Sequence, residues 1–184
     1  MDHAAFPPVP GPLAGLIGLA PPPLLAPALD RILRETLRSR PDLVARLGVH
    51  ATKTFLIDPT DLPLVFLVRP DPARPSIEAR RRRRGLPHGW DGRIAGPLSA
   101  LLGLVHGAVD GDALFFSRDI AMEGDTAAVV ALRNAIDDAE LDLLSLAAES
   151  FGPVAAVGGR LARPFAAGLA RATGVALLRS RGPL

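Results

Sequence analysis

The sequence predicts an α+β fold, on two observations. Hydrophobic spacing is helical over residues 24–39, changes to a period of two near residue 50, and becomes helical again after a final strand. The order is helices, then strands, then helix–strand–helix, which is not the regular alternation of a βαβ protein. One mostly antiparallel sheet of five strands, carrying helices on one face, is therefore expected.

Each element has its own local reason. In LLAPALDRILRETLRS (24–39), Leu25, Leu29, Ile32 and Leu37 fall at near-helical spacing with charges elsewhere, which predicts an amphipathic helix. A short second helix starts at Asp42 and stops at Gly48. HATKTFLID (50–58) and LPLVFLVRP (62–70) read as strands, with Asp58-Pro59 and Asp61 at the turn between them. The second of these is apolar on both faces, as in a strand covered on both sides. PSIEARRRR (75–84) and DGRIAG (91–96) are the third and fourth strands, followed by a helix over 97–107 with proline in its first turn.

GDALFFSRDIAMEGDT (111–126) is the fifth strand and its exit. Alternation places Leu114, Phe116, Ile120 and Met122 on one face, interrupted by Arg118, which then reaches a rim or a polar group in a cavity unless a bulge shifts the register. Gly124-Asp125 supplies a turn and an N-cap for a helix over 126–142, whose apolar stripe includes Val129, Leu132 and Ile136.

Three regions are expected: an apolar, proline-rich and partly extended arm (1–23), a domain (24–142) and a basic glycine/alanine-rich helical tail (143–184). No charge falls between His3 and Asp30, yet Met1-Asp2-His3 lacks the basic start of a signal peptide. Leu13–Ala20 is eight residues, far short of the ~20 that span a bilayer. In the tail, Arg160, Arg163 and Arg171 cluster on a helical wheel, away from Leu161, Phe165 and Leu169. Such a helix can lie on a membrane surface, meet a partner, or dock on its own domain.

The net charge of +2 conceals segregation. Residues 69–93 hold eight arginines against three acids, and 110–142 hold nine acids against two arginines. That pattern suits oriented docking onto charged partners or a membrane surface. The absence of cysteine excludes disulfides, thiolate nucleophiles and cysteine-ligated clusters within this chain. His3, His50, His88 and His106 lack metal-ligand spacing, and there is no G-x-S-x-G, P-loop or G-x-G-x-x-G motif. The Arg80–Arg84 run can contact phosphates or nucleic acid, but it reads first as a solvated strand end and loop, and no interleaved aromatics support single-strand binding. Trp90, in PHGWDG, is either a mouth residue or a loop anchor.

Residues 113–142, ALFFSRDIAMEGDTAAVVALRNAIDDAELD, resemble the signature of the UbiT family within the sterol carrier protein type two superfamily. The likeness lies in Phe115-Phe116, the arginine two residues on, the apolar strand, Glu-Gly-Asp-Thr and the acidic end of the helix. It extends more weakly through helix 24–39 and the strand order. The arginine-rich 74–84 segment and the tail match less well, so no role is carried over to them.

The resemblance implies a five-stranded sheet whose helices enclose an apolar lipid tunnel. It implies a non-catalytic, cofactor-free accessory factor in oxygen-independent bacterial ubiquinone biosynthesis, working with the iron–sulfur proteins UbiU and UbiV that hydroxylate the ring. Polyprenylated precursors would then be the ligand. Leu114, Phe116, Ile120 and Met122 would form one wall, Val129, Leu132 and Ile136 a second, and Leu64, Phe66 and Val68 a third, with Arg118 the polar group in the cavity. The expected location is cytoplasmic, with peripheral contact at the inner membrane. Two alternatives stand beside this: a fatty-acyl or acyl-CoA-binding, enzyme-associated domain, and a membrane-docking adaptor with a filled core and no ligand.

Overall fold

A computed structural model describes residues 8–19, 21–82, 85–105 and 119–139. Its elements are α1 (Gly11–Leu19), α2 (Pro22–Ser39), α3 (Pro41–Leu47), a 3-10 turn (Gly48–Thr52), β1 (Phe55–Pro59), β2 (Leu64–Arg69) and β3 (Ser76–Arg81). β4 (Gly92–Gly96), α4 (Leu98–Val105), β5 (Ala121–Gly124) and α5 (Thr126–Ala139) follow.

The five strands form one sheet in the order β3-β2-β1-β4-β5. β1 and β4 run parallel, and the other three pairings are antiparallel. The expected α+β class and mostly antiparallel sheet are therefore present.

Register sorts the strand side chains into two faces. Phe55 lies opposite Val68, Ile57 opposite both Phe66 and Ile94, and Ile94 opposite Met122. This inner face meets the helices. Phe55 and Ile94 are buried in one core with Leu37 of α2, Leu43 and Leu47 of α3, Leu101 and Leu104 of α4, and Val129 and Leu132 of α5. The outer face carries Leu56, Val65 and Leu67, covered by Leu86 and Trp90 from the loop after β3. β2 is apolar on both faces because both are covered, and Trp90 is a loop anchor on the outer side.

Three expectations change. Asp58-Pro59, expected at a turn, ends β1 and pairs with Ala95 and Gly96 of β4. The arm was expected to be partly extended, but Gly11–Leu19 is helical: Pro12 sits in the first turn, where its missing N–H costs nothing, and no proline follows before Pro21. His50–Thr52 belongs to the 3-10 turn rather than to a strand, so β1 starts at Phe55. Gly48, with φ of 52°, ends α3 and redirects the chain before that turn.

β3 is an edge strand, and α2 packs beside it. Asp30 of α2 accepts the Ile77 N–H at 2.6 Å, which satisfies a backbone donor on the edge strand. Exposed Arg80 and Arg81 further discourage pairing of this edge with another chain.

Candidate functional site

The Glu123-Gly124-Asp125 turn positions α5 over the sheet, and each residue has a separate task. Glu123 accepts an ion pair from Arg93 of β4 at 2.7 Å. Gly124 has φ of 80°, and a Cβ there would collide with the Asp91 carbonyl oxygen and approach the Trp90 ring to 2.9 Å. Only glycine combines that dihedral with so close a backbone approach. Asp125 caps α5: its Oδ1 accepts the Ala128 N–H at 3.0 Å, while its own N–H donates to the Asp91 carbonyl at 2.8 Å.

Lys53, the one lysine of the chain, lies between the carboxylates of Asp91 (3.5 Å) and Asp125 (3.6 Å). Asp91 also accepts the Thr54 N–H at 2.8 Å. The starts of β1, β4 and α5 are thereby tied together. The Ala128 N–H bond is the largest influence and, with smaller help from nearby Lys53 and His50, holds the Asp125 carboxyl below its ordinary value, against desolvation, which is second to the Ala128 bond.

The sequence-derived wall residues divide into three groups. Ile120, Val129 and Leu132 are buried in the main core, with Met122 and Ile136 half-buried against it. Leu64 is fully buried, whereas Phe66 and Val68 stay half-buried on the helix-facing side of β2. Leu114, Phe116 and Arg118, and the tail residues Arg160, Arg163 and Arg171, lie outside the described residues.

The inner face is tightly closed at β4. A Cβ on Gly92 would lie 2.6 Å from Val129 Cγ2, and one on Gly96 would lie 2.5 Å from the Asp119 carbonyl oxygen. At β4, then, the sheet touches α5 and the approach to β5 directly. The half-buried apolar side chains Phe66 and Val68 lie toward the other end, where Ala79 and Ile77 of β3 are their cross-strand neighbours.

Sequence reasoning missed an ionic network on the outer face. Asp58 is fully buried, and its Oδ2 accepts Arg93 Nε at 3.0 Å and Nη2 at 2.6 Å. Its Oδ1 accepts Arg82 Nη2, which also donates to the Pro59 carbonyl at 3.1 Å. Burial, then the neighbouring Arg93 charge, pushes the Arg82 guanidinium below its ordinary value. The available signal was alternation: Phe55 and Ile57 face in, so Asp58 had to face out among apolar neighbours, where an acid needs a cation.

Among the described residues, no group of three or more His, Asp or Glu side chains is placed to hold a metal. No helix among them is long and apolar enough to cross a membrane.

A model of the SCP-2 sterol transfer family matches residues 29–137. The chain belongs to that family. Its SCP-2 domain spans α2 to α5 and is a lipid-binding domain of the sterol-carrier type. Among solved structures, a UbiJ-SCP2 ubiquinone synthesis protein is 18% identical, covering 64% of this chain and 93% of that one with a TM-score of 0.49. Sterol carrier protein 2 from Yarrowia lipolytica is 11% identical over 61% of this chain and 89% of that one, with a TM-score of 0.40. A conserved protein of Thermus thermophilus, described as possibly a sterol carrier protein, is 13% identical over 67% and 85%, with a TM-score of 0.43. No curated protein matches the chain.

Proposed function

We propose that the chain is a non-catalytic lipid carrier that holds a polyprenylated ubiquinone precursor between its sheet and helices. It presents the ring to hydroxylating partners of the UbiU and UbiV kind in the oxygen-independent route. The observation that supports the lipid part is the inner face of the SCP-2 domain. Phe66 and Val68 are only half-buried there, although they share a face with the main core. The ubiquinone part rests on the resemblance of residues 113–142 to the UbiT signature.

The energetics need no catalytic group. Each buried CH2 contributes about 0.8 kcal/mol, so ten isoprenoid carbons give on the order of 8 kcal/mol before ordering costs. The polar contacts of the Glu-Gly-Asp turn fix where α5 starts against the sheet, and so, in this reading, the wall that α5 presents to the lipid.

The test is to purify the chain from cells growing without oxygen, extract it with organic solvent, and identify the lipids by mass spectrometry. Stoichiometric polyprenyl phenols or quinones are expected. Acyl-CoA would replace this reading with the enzyme-associated one. A clean extract, when a control lipid-binding protein keeps its ligand, would replace it with a membrane-docking adaptor.

A further inference from the structure

We propose that a groove on the outer face of the sheet binds a phosphate-type oxyanion. The groove has a volume of about 200 Å3 and lies between β2, β3 and the loop that carries His88 and Gly89. Thr54, Arg69, Ser76, Glu78, Arg80 and His88 line it. Register explains the convergence: Leu67 lies opposite Glu78 and Arg69 opposite Ser76, so these side chains rise from one face. Phe66 and Val68 alternate with them and point to the helices, so the groove is on the opposite side of the sheet from the lipid-facing residues. The inference does not rest on the lipid reading.

The two groove arginines are held differently. Arg80 donates Nε and Nη2 to Glu78 at 3.1 and 2.7 Å, so its charge is compensated. Arg69 donates Nε and Nη2 to the Thr54 hydroxyl at 3.3 and 3.1 Å. That partner is neutral, and no carboxylate among the described residues pairs with Arg69. The guanidinium is oriented by the hydroxyl yet keeps its charge and its remaining N–H groups.

Thr54 Oγ1 accepts from Arg69 and still has its own proton to donate. The Ser76 hydroxyl and the His88 ring add further donor capacity around the same space. A planar arginine fork with hydroxyl donors beside it matches a tetrahedral oxyanion. The volume is below the ~300–1,000 Å3 of a pocket for a whole small molecule. It suits a phosphate, a diphosphate or a lipid headgroup, and not a lipid chain.

Calorimetric titration of the full chain with sodium phosphate and sodium diphosphate, at constant ionic strength, tests the proposal. One saturable site is expected. Arg69→Gln should weaken binding about tenfold or more, the loss of a charged hydrogen bond. Arg69→Lys, which keeps the charge and loses the fork, should fall between. Arg74→Gln, an exposed arginine outside the groove, should bind as the parent does. Circular dichroism and the fluorescence of Trp90, the one tryptophan, report whether each variant is folded.

Co-sedimentation with phosphatidylcholine vesicles, with and without phosphatidic acid, separates the two sources of phosphate. Arg69-dependent capture by phosphatidic acid without binding of the free anions assigns the site to a headgroup. Absence of binding in both formats overturns the proposal. Equal weakening by Arg69→Gln and Arg74→Gln also overturns it, because that outcome indicates diffuse charge attraction.

Discussion

Gly92 of β4 lies directly beneath Val129 of α5: a Cβ on the glycine would sit 2.6 Å from the valine Cγ2. The Asp125 carbonyl oxygen at 3.4 Å and Phe55 Cδ1 at 3.7 Å close the same space. Asp125 also starts α5, and its N–H is held by the Asp91 carbonyl, so the helix cannot lift there without losing a cap contact. Gly92→Ala should therefore lower stability by about 1–3 kcal/mol, the usual cost of overpacking a filled core. Urea unfolding followed by Trp90 fluorescence measures this. An unchanged midpoint would show that α5 can ride outward freely.

Asp58 is the counter-ion of two arginines from different parts of the chain, Arg82 after β3 and Arg93 in β4. Asp58→Ala removes the carboxylate that separates the two guanidiniums, leaving Arg93 with Glu123 and Arg82 with the Pro59 carbonyl. A loss of about 3–5 kcal/mol is expected, as for removing one partner of a buried pair. Asp58→Asn retains an acceptor oxygen without the charge and should cost less. If Asp58→Ala unfolds within ~0.5 kcal/mol of the parent, water rather than the carboxylate is solvating the arginines.

The Asp125 cap predicts a pH dependence. Its carboxyl is held below the ordinary value, first by the Ala128 N–H bond and then by Lys53 and His50. In that window the folded chain binds fewer protons than the unfolded chain, so this contribution to stability rises with pH. It is complete above the unfolded value of about 3.9 and is lost as pH falls through the lower folded value. Asp125→Ala should be less stable than the parent at neutral pH, with the gap closing under acid. Urea midpoints of both chains across that range measure it, and a gap that persists in strong acid would reject the carboxylate as its source.

The legible parts of the fold were those with local causes. α2, β2, β4 and the start of α5 follow from apolar spacing and, for the last two, from Pro97 and Gly124-Asp125 at their boundaries; Pro22, which opens α2 two residues before the expected start, was not read as part of it. The 3-10 turn at Gly48–Thr52 was not legible, because His50 and Thr52 alternate with small residues as a strand would. α1 was hidden by the prolines that flank it, although the stretch between Pro12 and Pro21 is free of them.

The site was legible only in composition. Sequence grouped Ile120, Met122, Val129, Leu132 and Ile136, and the fold does bring these into one core. Which of them touch the sheet depends on register between β1, β4 and β5, over separations no local pattern records. The same is true of Arg82. It continues the arginine run after Arg80 and Arg81, yet it turns back onto Asp58 while they remain exposed at the edge.

The lipid reading makes its own demand on the inner face. Met122 lies opposite Ile94, half-buried against the core, on the face shared with Phe66 and Val68. Val129 fits against Gly92 so closely that enlarging it would report on packing alone. Met122 is the better probe, since its flexible side chain is only partly enclosed. Met122→Trp places a large rigid ring on the proposed lipid side while leaving the β4–β5 hydrogen bonds in place. We expect co-purified lipid to fall severalfold, with circular dichroism matching the parent and a urea midpoint lower by no more than the ~1–3 kcal/mol of an overpacked site. Quantitative mass spectrometry of solvent extracts, normalised to protein, decides the matter. Undiminished loading in a folded Met122→Trp chain would remove this residue from the wall and shift the proposed lipid position toward Phe66 and Val68.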